Sequence, residues 1–489
     1  MGEIKKQTLN GVKWSAIERF SIQGATFFIG LVVARLLTPA DYGMVGMIGI
    51  FFAISQSLID SGFGNALVRK PDRTEADFYT AFYFNIAVSI VCAILLCLIS
   101  PWIADFFNQP ILSPITKVMS LNLVLGTLCM IPSTKIYIAL DFKTGAKISF
   151  TSSLLSGLIG LLLAFLGYGV WALVWQSIAA NVIRAITAWM YNPCRLLFIF
   201  SKKSFRQLFG YGSKLAASGI LHTLYSEMTT IAIGKFYTPA SLGNYSRGTS
   251  LASMPVSIIT GIVSKVTFPI LSKIQNDDEH LIKIYRGYIS LIMMGVVFGC
   301  MLMAVLAKPL ILMLLTEKWA KAIIFVQIFA FAIVFDPICS LNLNLLQVKG
   351  RSDIFLRLEI IKKVIAIAIL FAAIPLGVVA ICISKVIYTQ VAVYLNTYYT
   401  GKIFGLGYWQ QWKDFLPYFG YTAIACIPAW LLVTFCPWHW VSLSVGALSA
   451  VVLYPLILNQ RRDAVFMHHV RPVIDKFLSK ILAKRLEAF

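Results

Sequence analysis

Runs of about 20 apolar residues recur along the whole chain and limit the folds that it can adopt. Hydrophobic residues make up 58% of the 489 residues, whereas charged residues make up 13%. A soluble domain carries about 25% charged residues, so most of this chain's surface is expected to face lipid. The runs do not alternate between polar and apolar residues, as the strands of a membrane barrel would. The sequence therefore predicts an all-α polytopic membrane protein.

About fourteen segments have the length of a membrane-spanning helix. They lie at roughly 14–36, 42–64, 78–100, 117–139, 148–167, 170–192, 212–236, 246–270, 287–307, 321–346, 356–375, 377–400, 416–436 and 440–459. The polar, basic N-terminus and the long first run do not match a cleavable signal peptide. The nine cysteines lie in or beside apolar runs without paired spacing. This favours small core residues over disulfides or metal ligands, and no cofactor is expected.

The distribution of the 42 lysines and arginines indicates how these spans are oriented. Most of them lie in alternate loops, such as Lys5 and Lys6 before the first span and Lys202 and Lys203 at the centre. The opposite loops carry few cations, and the loop at 167–169 carries none. Cytoplasmic loops are enriched in cations, so both termini are predicted to be cytoplasmic. The net charge of +21 then needs no nucleic-acid partner.

A turn near residue 38 recurs two hundred residues later. Residues 38–43 are TPADYG, and residues 238–243 are TPASLG. An even number of spans separates the copies, so six spans repeat in one orientation, which predicts two pseudo-symmetric six-helix lobes with a site between them. The basic segment Cys194–Lys214 is expected to be the loop that joins the lobes.

This scheme gives four regions. They are an N-terminal lobe at 1–200, a C-terminal lobe at 201–400, two extra helices at 401–459 and a basic tail at 460–489. Apolar residues recur at helical spacing from Val473. The tail is therefore expected to form an amphipathic helix on the cytoplasmic leaflet, with a solvated helix as the alternative.

The sequence around the first turn resembles a known transporter family. ARLLTPADYG at 34–43 and DSGFG at 60–64 are similar to motifs of the Wzx-type flippases, the polysaccharide-transporter branch of the MOP exporter superfamily. The resemblance implies a MATE-like, two-lobed transporter in the bacterial inner membrane. It also implies transport of a polyprenyl-diphosphate-linked oligosaccharide to the outer leaflet, for exopolysaccharide, capsule or O-antigen synthesis. A polysaccharide polymerase is then a candidate partner.

Cations inside the predicted spans are candidates for binding the diphosphate. A charge at the bilayer centre costs about 2.5–3.5 kcal/mol, so it needs water, a partner or a ligand. The candidates are Arg19, Arg184, Lys265 and Lys385. Neighbouring polar residues predicted to line a water-filled cavity are Gln23, Thr26, Asn181 and Ser257. The alternative is that the cations extend to the lipid headgroups. Three cations nearer the span ends are expected at the membrane boundary: Lys135, Lys362 and Lys363.

Acids inside the spans are candidates for coupling transport to H⁺ or Na⁺. Coupling needs a membrane carboxylate whose charge changes during transport. The candidates are Glu227, Asp336 and Asp60. Pro337 follows Asp336 and predicts a local break or distortion of that helix.

Three other functions fit the sequence less well than flipping. A glycosyltransferase or polymerase would need larger catalytic loops, and the short loops here contain no paired-carboxylate or Gly-rich phosphate motif. The chain is therefore not expected to be an enzyme. An ion-coupled multidrug exporter of the same superfamily usually has twelve spans and an acidic cavity for cations, whereas these spans carry more cations than acids. A structural scaffold would not need polar stripes in several helices.

Overall fold

Helices joined by short turns account for nearly all of the chain described by the structure, a computed structural model. It describes residues 24, 27–60, 63–70, 72–139, 141–194, 197–273, 277–349, 351–472 and 475. No strand occurs within these ranges, which confirms the predicted all-α class. The chain divides into two compact units, Met1–Ser246 and Arg247–Phe489.

The helices of the first unit follow the chain closely. They are α1 (Phe27–Leu36), α2 (Pro39–Asp60), α3 (Phe63–Arg69), α4 (Glu75–Phe107), α5 (Leu112–Met119), α6 (Leu121–Leu128), α7 (Met130–Ile138), α8 (Phe142–Phe165), α9 (Val170–Tyr191) and α10 (Lys202–Phe236). The next helix, α11 (Pro239–Lys273), begins in the first unit and continues into the second.

The second unit contains the remaining helices. They are α12 (Asp278–Leu314), α13 (Ala322–Ile333), α14 (Asp336–Val348), α15 (Ser352–Ala373), α16 (Val378–Phe404), α17 (Tyr408–Phe435) and α18 (His439–Gln460). Short 3₁₀ turns lie at Glu317–Trp319 and Ile374–Leu376, and a π-helical turn lies at Phe466–Val470.

Within the described ranges, nine helical segments are long and apolar enough to cross a membrane, or ten with the bent segment α5–α7. The chain is therefore a multi-pass membrane protein. The other predicted spans correspond to the short helix α1 and to the more polar helices α10, α11 and α15. Several helices extend beyond the predicted spans, because hydropathy detects only their apolar central parts.

The predicted span at 117–139 is a bent helix rather than a straight one. The chain turns by 41° between Leu128 and Met130. Pro132 has no N–H to donate to the Leu128 carbonyl, four residues earlier. The indole N–H of Trp189, on α9, donates to that carbonyl instead, at 2.9 Å. Proline and tryptophan together therefore stabilise the bend.

The start of α10 differs from the sequence expectation. Cys194–Lys214 was expected to be a loop, but α10 already begins at Lys202. The hydroxyl of Ser201 caps it by accepting a hydrogen bond from the Ser204 N–H at 3.2 Å. Phe205 packs with Phe63 and Phe84 against α3 and α4. Capping and aromatic packing therefore extend the helix into a segment that is basic in sequence.

The repeat is also visible in the backbone. α9 and α16 each begin directly after a glycine with positive φ, 55° at Gly169 and 109° at Gly377. Residues with a Cβ rarely adopt such angles. Valine follows the glycine in both places, so the two Gly-Val pairs form equivalent helix starts.

Candidate functional site

The helix that carries Asp336 is broken just before it. α13 ends at Ile333, and α14 begins at Asp336 with Pro337 as its second residue. Pro337 cannot donate a hydrogen bond to the Ile333 carbonyl, so a continuous helix is disfavoured. The Asp336 carboxylate lies in the first turn of α14, where the positive end of the helix dipole stabilises it. The predicted break is confirmed.

Lys385, on α16, lies within electrostatic range of Asp336. Its ammonium group is 5.1 Å from the centre of the Tyr388 ring, one turn further along the same helix. The sequence indicated Lys385 as a diphosphate ligand and Asp336 as a coupling site, on separate grounds. The structure places the two charges near each other, on α14 and α16.

A second pair of opposite charges lies on α15. Glu359 and Lys362 form an ion pair across one helical turn, and the Lys362 side chain is only 6% exposed. Lys362, Lys385 and Asp336 all interact electrostatically with the Cys339 thiol, so both pairs approach one region. Lys362 is thus buried within the protein, and its predicted position at the membrane boundary stays a prediction. The signal for the ion pair was the i,i+3 spacing of Glu359 and Lys362 within an apolar helix.

Buried polar side chains lie further along α14 and α16 and at the start of α17. Asn342, Thr400 and Gln411 form a closed hydrogen-bond network with distances from 2.7 to 3.2 Å. Asn396 is also fully buried, close to Cys339, but both of its amide atoms lack a well-formed hydrogen bond with the described residues. An unsatisfied buried polar group costs about 1–3 kcal/mol. Asn396 is therefore a polar group that a water molecule or ion near the charge pairs would satisfy.

In the first unit, Ser177, Asn181 and Arg184 form a polar stripe along α9, and its members have different surroundings. The Asn181 amide donates to Asn122 Oδ1 on α6 at 2.9 Å, and the Asn122 amide donates to Ser177 Oγ at 2.9 Å. This ladder holds α6 against α9. Arg184, one turn beyond Asn181, is exposed. Asn181 thus stabilises helix packing, and Arg184 is the accessible member of the stripe; their predicted cavity roles stay predictions.

Three other candidates lie apart from these groups. Ser257 is exposed on α11, and its hydroxyl donates to the Met254 carbonyl at 3.0 Å. Glu227 is half-buried on α10. Asp60 is exposed at the end of α2 and accepts a hydrogen bond from the Gln56 amide at 2.9 Å. The roles that the sequence predicts for these three residues stay predictions.

Some of the predictions fall outside the described part of the chain. Arg19, Gln23 and Thr26 are not among the described residues. Lys265 belongs to α11, but the description does not extend to its side chain. Most of the tail from Val473 is likewise outside it.

The two copies of the repeated turn use the same local hydrogen bond. In the first copy, the Asp41 N–H donates to Thr38 Oγ1 at 3.3 Å. In the second, the Ser241 N–H donates to Thr238 Oγ1 at 3.2 Å. The Asp41 carboxylate also accepts from the N–H and hydroxyl of Thr38, at 2.8 and 2.7 Å. Each threonine therefore caps the helix that follows it.

The two turns also pack against each other within the first unit. A methyl group added to Gly43 would overlap the carbonyl oxygen of Pro239, and one added to Gly243 would overlap that of Pro39. The contact is reciprocal, and only glycine allows backbones to approach this closely. Nearby, the Lys235 ammonium donates to the Phe106 carbonyl at 2.5 Å. The sequence predicted a corner in each repeat but not that the two corners meet.

The family to which the chain belongs is shown by the region that contains both turns. A family model described as polysaccharide biosynthesis protein matches residues 32–324, more than half of the chain. The chain belongs to this family. The match confirms the sequence resemblance on which the fold expectation rested.

Relatives with similar sequences come from several bacteria. Teichuronic acid biosynthesis protein TuaB of Bacillus subtilis is 26% identical, over 72% of this chain and 74% of its own length. Lipopolysaccharide biosynthesis protein WzxC of Escherichia coli is 25% identical over 73% of each chain. Succinoglycan biosynthesis transport protein ExoT of Rhizobium meliloti is 22% identical, over 65% of this chain and 64% of its own.

Solved structures share the arrangement of helices. The lipid II flippase MurJ, in an inward closed conformation, aligns with a TM-score of 0.74 at 14% identity, over 92% of this chain and 99% of its own. An inward-facing MATE multidrug resistance transporter of the MOP superfamily aligns with a TM-score of 0.58 at 16% identity, over 81% and 98%. At such identities the likeness concerns the fold alone, and it confirms the predicted MOP-type fold.

Proposed function

We propose that the chain flips a polyprenyl-diphosphate-linked oligosaccharide repeat unit across the bacterial inner membrane, for exopolysaccharide, capsule or O-antigen synthesis. The observation that carries this proposal is the family match over residues 32–324 on a chain with a MurJ-like fold. Polysaccharide biosynthesis supplies the class of cargo, and the fold supplies a transport mechanism. A polysaccharide polymerase is the proposed partner that uses the flipped unit.

The proposed arrangement has fourteen spans, formed by two six-helix lobes and two extra C-terminal helices. Both termini are cytoplasmic in this scheme, as the distribution of cations favours. The more polar helices α10, α11 and α15 then belong to the C-terminal lobe. Polar helices are unsuited to face lipid and suited to line a water-filled pathway.

The proposed mechanism is alternating access with a cationic cavity. Arg19, Arg184, Lys265 and Lys385 bind the diphosphate in this mechanism, because guanidinium and ammonium groups complement its oxygens. The reciprocal contact of Gly43 and Gly243 with the two turns supports a role as the outer closure. The turns lie at the ends of spans that the topology places outside, so the closure has to separate when the cargo leaves.

Replacing the accessible cation Arg184 by alanine tests the cationic cavity. We expect Arg184→Ala to lower polymer export about tenfold or more, because a charge-assisted contact contributes about 1.5–3 kcal/mol. Combined with Arg19→Ala, it should make lipid-linked oligosaccharide accumulate on the cytoplasmic face, as loss of the protein would. The measurement is the amount of polymer at the cell surface and the sidedness of the lipid-linked unit. Normal export by the double variant would contradict the cationic cavity.

We propose that Asp336 and Lys385 couple the flip to H⁺ or Na⁺. The support is their proximity beside the interruption between α13 and α14. Asp336→Asn keeps the shape of the carboxylate and removes its charge. The variant is expected to transport slowly and to respond less than the wild type when the proton and sodium gradients are dissipated separately. A wild-type protein that is indifferent to both gradients would rule out coupling at Asp336, Glu227 or Asp60.

The competing proposal is an ion-coupled multidrug exporter. The similarity to the MATE structure favours it, because the two chains share a fold. The excess of cations over acids in the predicted spans argues against it, since exporters of cationic drugs need acidic cavities. A drug-susceptibility profile that changes on deletion, with normal polysaccharide, would favour the exporter.

A further inference from the structure

The segment between α9 and α10 presents apolar side chains at the surface of the first unit. From Leu197 to Phe200 the sequence is LFIF, and Phe198 is 92% exposed. The segment is nevertheless fixed at both ends of this stretch. The Ser201 N–H donates to Thr80 Oγ1 on α4 at 2.9 Å, and the Phe198 ring stacks on Tyr83 at 5.7 Å. An exposed phenylalanine is therefore held in place rather than buried.

Beside Phe198 lies a cavity of about 490 Å³ between α4, α6 and α9. Its lining is almost wholly apolar: Phe82, Tyr83, Ile86, Leu128, Ala185, Ile186, Trp189 and Phe198. The polar indole N–H of Trp189 already donates to the Leu128 carbonyl. The cavity therefore suits a hydrocarbon chain, and it is open at the surface where Phe198 lies.

Cations follow directly after the apolar stretch. Lys202, Lys203 and Arg206 are exposed in the first turns of α10. The sequence from 192 to 209 contains no acidic residue. Ser201, next to Lys202, is bonded to Thr80, which is three residues and thus about 4.5 Å along α4 from the cavity residue Tyr83. Positive charge thus lies about one helical turn from the open end of the cavity.

We propose that this cavity and the adjoining cations form a binding site for an anionic membrane phospholipid. One acyl chain occupies the cavity against Phe198 and Tyr83, and the phosphate headgroup contacts Lys202, Lys203 and Arg206. Asp77 of α4 lies beside Ser204 of this turn but is paired with Lys70. The combination of apolar volume and exposed cations selects this occupant, because a zwitterionic lipid would gain little from the charges. A single basic residue near a membrane surface favours anionic lipid by about fivefold.

Photocrosslinking in lipid nanodiscs tests the site without any transport assay, so its outcome is independent of the proposed flippase activity. The full-length protein carries p-benzoylphenylalanine in place of Phe198, in equal parts of phosphatidylglycerol and phosphatidylcholine. We expect crosslinked phosphatidylglycerol to exceed phosphatidylcholine by at least about fivefold. The double variant Lys202→Gln/Lys203→Gln should reduce the ratio to near that of the bilayer.

Two further variants separate a built site from ordinary surrounding lipid. The same photoreactive residue in place of Phe435, which is exposed at the end of α17 with no cation in the following residues, should crosslink both lipids in the bilayer ratio. Ile186→Trp fills the cavity from an exposed position and should lower the crosslinking yield at residue 198 while the cations remain.

Three results would overturn the proposal. The first is a bilayer-like ratio at residue 198 in the otherwise wild-type protein, which would indicate ordinary surrounding lipid. The second is an enrichment that Lys202→Gln/Lys203→Gln leaves unchanged. The third is displacement of phosphatidylglycerol by equimolar undecaprenyl phosphate, which would make the occupant a polyprenyl lipid instead of a phospholipid.

Discussion

Replacing Gly43 or Gly243 by alanine is expected to abolish most transport and to destabilise the protein by about 1–3 kcal/mol. In each case the new methyl group would overlap a proline carbonyl of the opposite turn. Backbone atoms cannot rotate away as a flexible side chain can, so the two turns have to separate. The measurements are polymer export and the free energy of unfolding of the purified variants.

Gly49→Ala is the matched control for this prediction, because it lies on the same helix α2 and a Cβ there meets nothing within 4 Å. We expect its effect on stability to be within about 0.5 kcal/mol. Gly43→Ala and Gly243→Ala act on one contact, so the double variant should lose less than the sum of the single losses. Additive losses, or normal export by either single variant, would contradict a shared closure.

Removing the carboxylate of Glu359 is expected to destabilise the second unit by about 3–5 kcal/mol. Its partner Lys362 is almost completely buried, so Glu359→Ala leaves an ammonium group without its counter-charge. The double variant Glu359→Ala/Lys362→Met replaces the ion pair with apolar groups and should recover most of the stability. Thermal unfolding of the three proteins, wild type included, measures this directly.

The ion pair between Arg351 and Asp353, beside the start of the same helix α15, provides the control. Both of its side chains are well exposed, at 49% and 65%. Exposed pairs contribute about 0–1 kcal/mol, so Arg351→Ala should be nearly neutral. If Glu359→Ala were as mild as Arg351→Ala, the buried ion pair would not stabilise the protein as predicted. The same conclusion would follow if the added Lys362→Met failed to restore the stability of Glu359→Ala.

The fold was largely predictable because lipid imposes a simple rule on sequence. Long apolar runs predict the helices. The repeat of TPADYG as TPASLG predicts that the turn before α2 recurs before α11. Helix ends were less predictable, since α10 begins at Lys202 through a serine cap and aromatic packing that hydropathy does not register. The bend near Leu128 depends on a hydrogen bond from Trp189, 61 residues away in sequence, which local patterns do not reveal.

The candidate site was only partly predictable. Asp336 and Lys385 were found separately, because a charge in an apolar run is visible in sequence whereas its partner on another helix is not. The burial of Lys362 was not predicted, although its i,i+3 spacing from Glu359 within an apolar helix was a signal for an ion pair. The contact between the Gly43 and Gly243 turns has no sequence signal beyond the repeat itself.

A flipping assay with purified protein in sealed vesicles tests the central claim most directly. The vesicles contain a lipid-linked oligosaccharide with a polyprenyl diphosphate anchor, and an impermeant glycosidase reports which leaflet carries it. We expect the wild-type protein to move the oligosaccharide between leaflets and Arg184→Ala to slow this movement about tenfold or more. The assay is made with protein shown to be folded and with ion gradients applied in either direction. If the oligosaccharide then stays in its original leaflet, the proposed flippase function is contradicted.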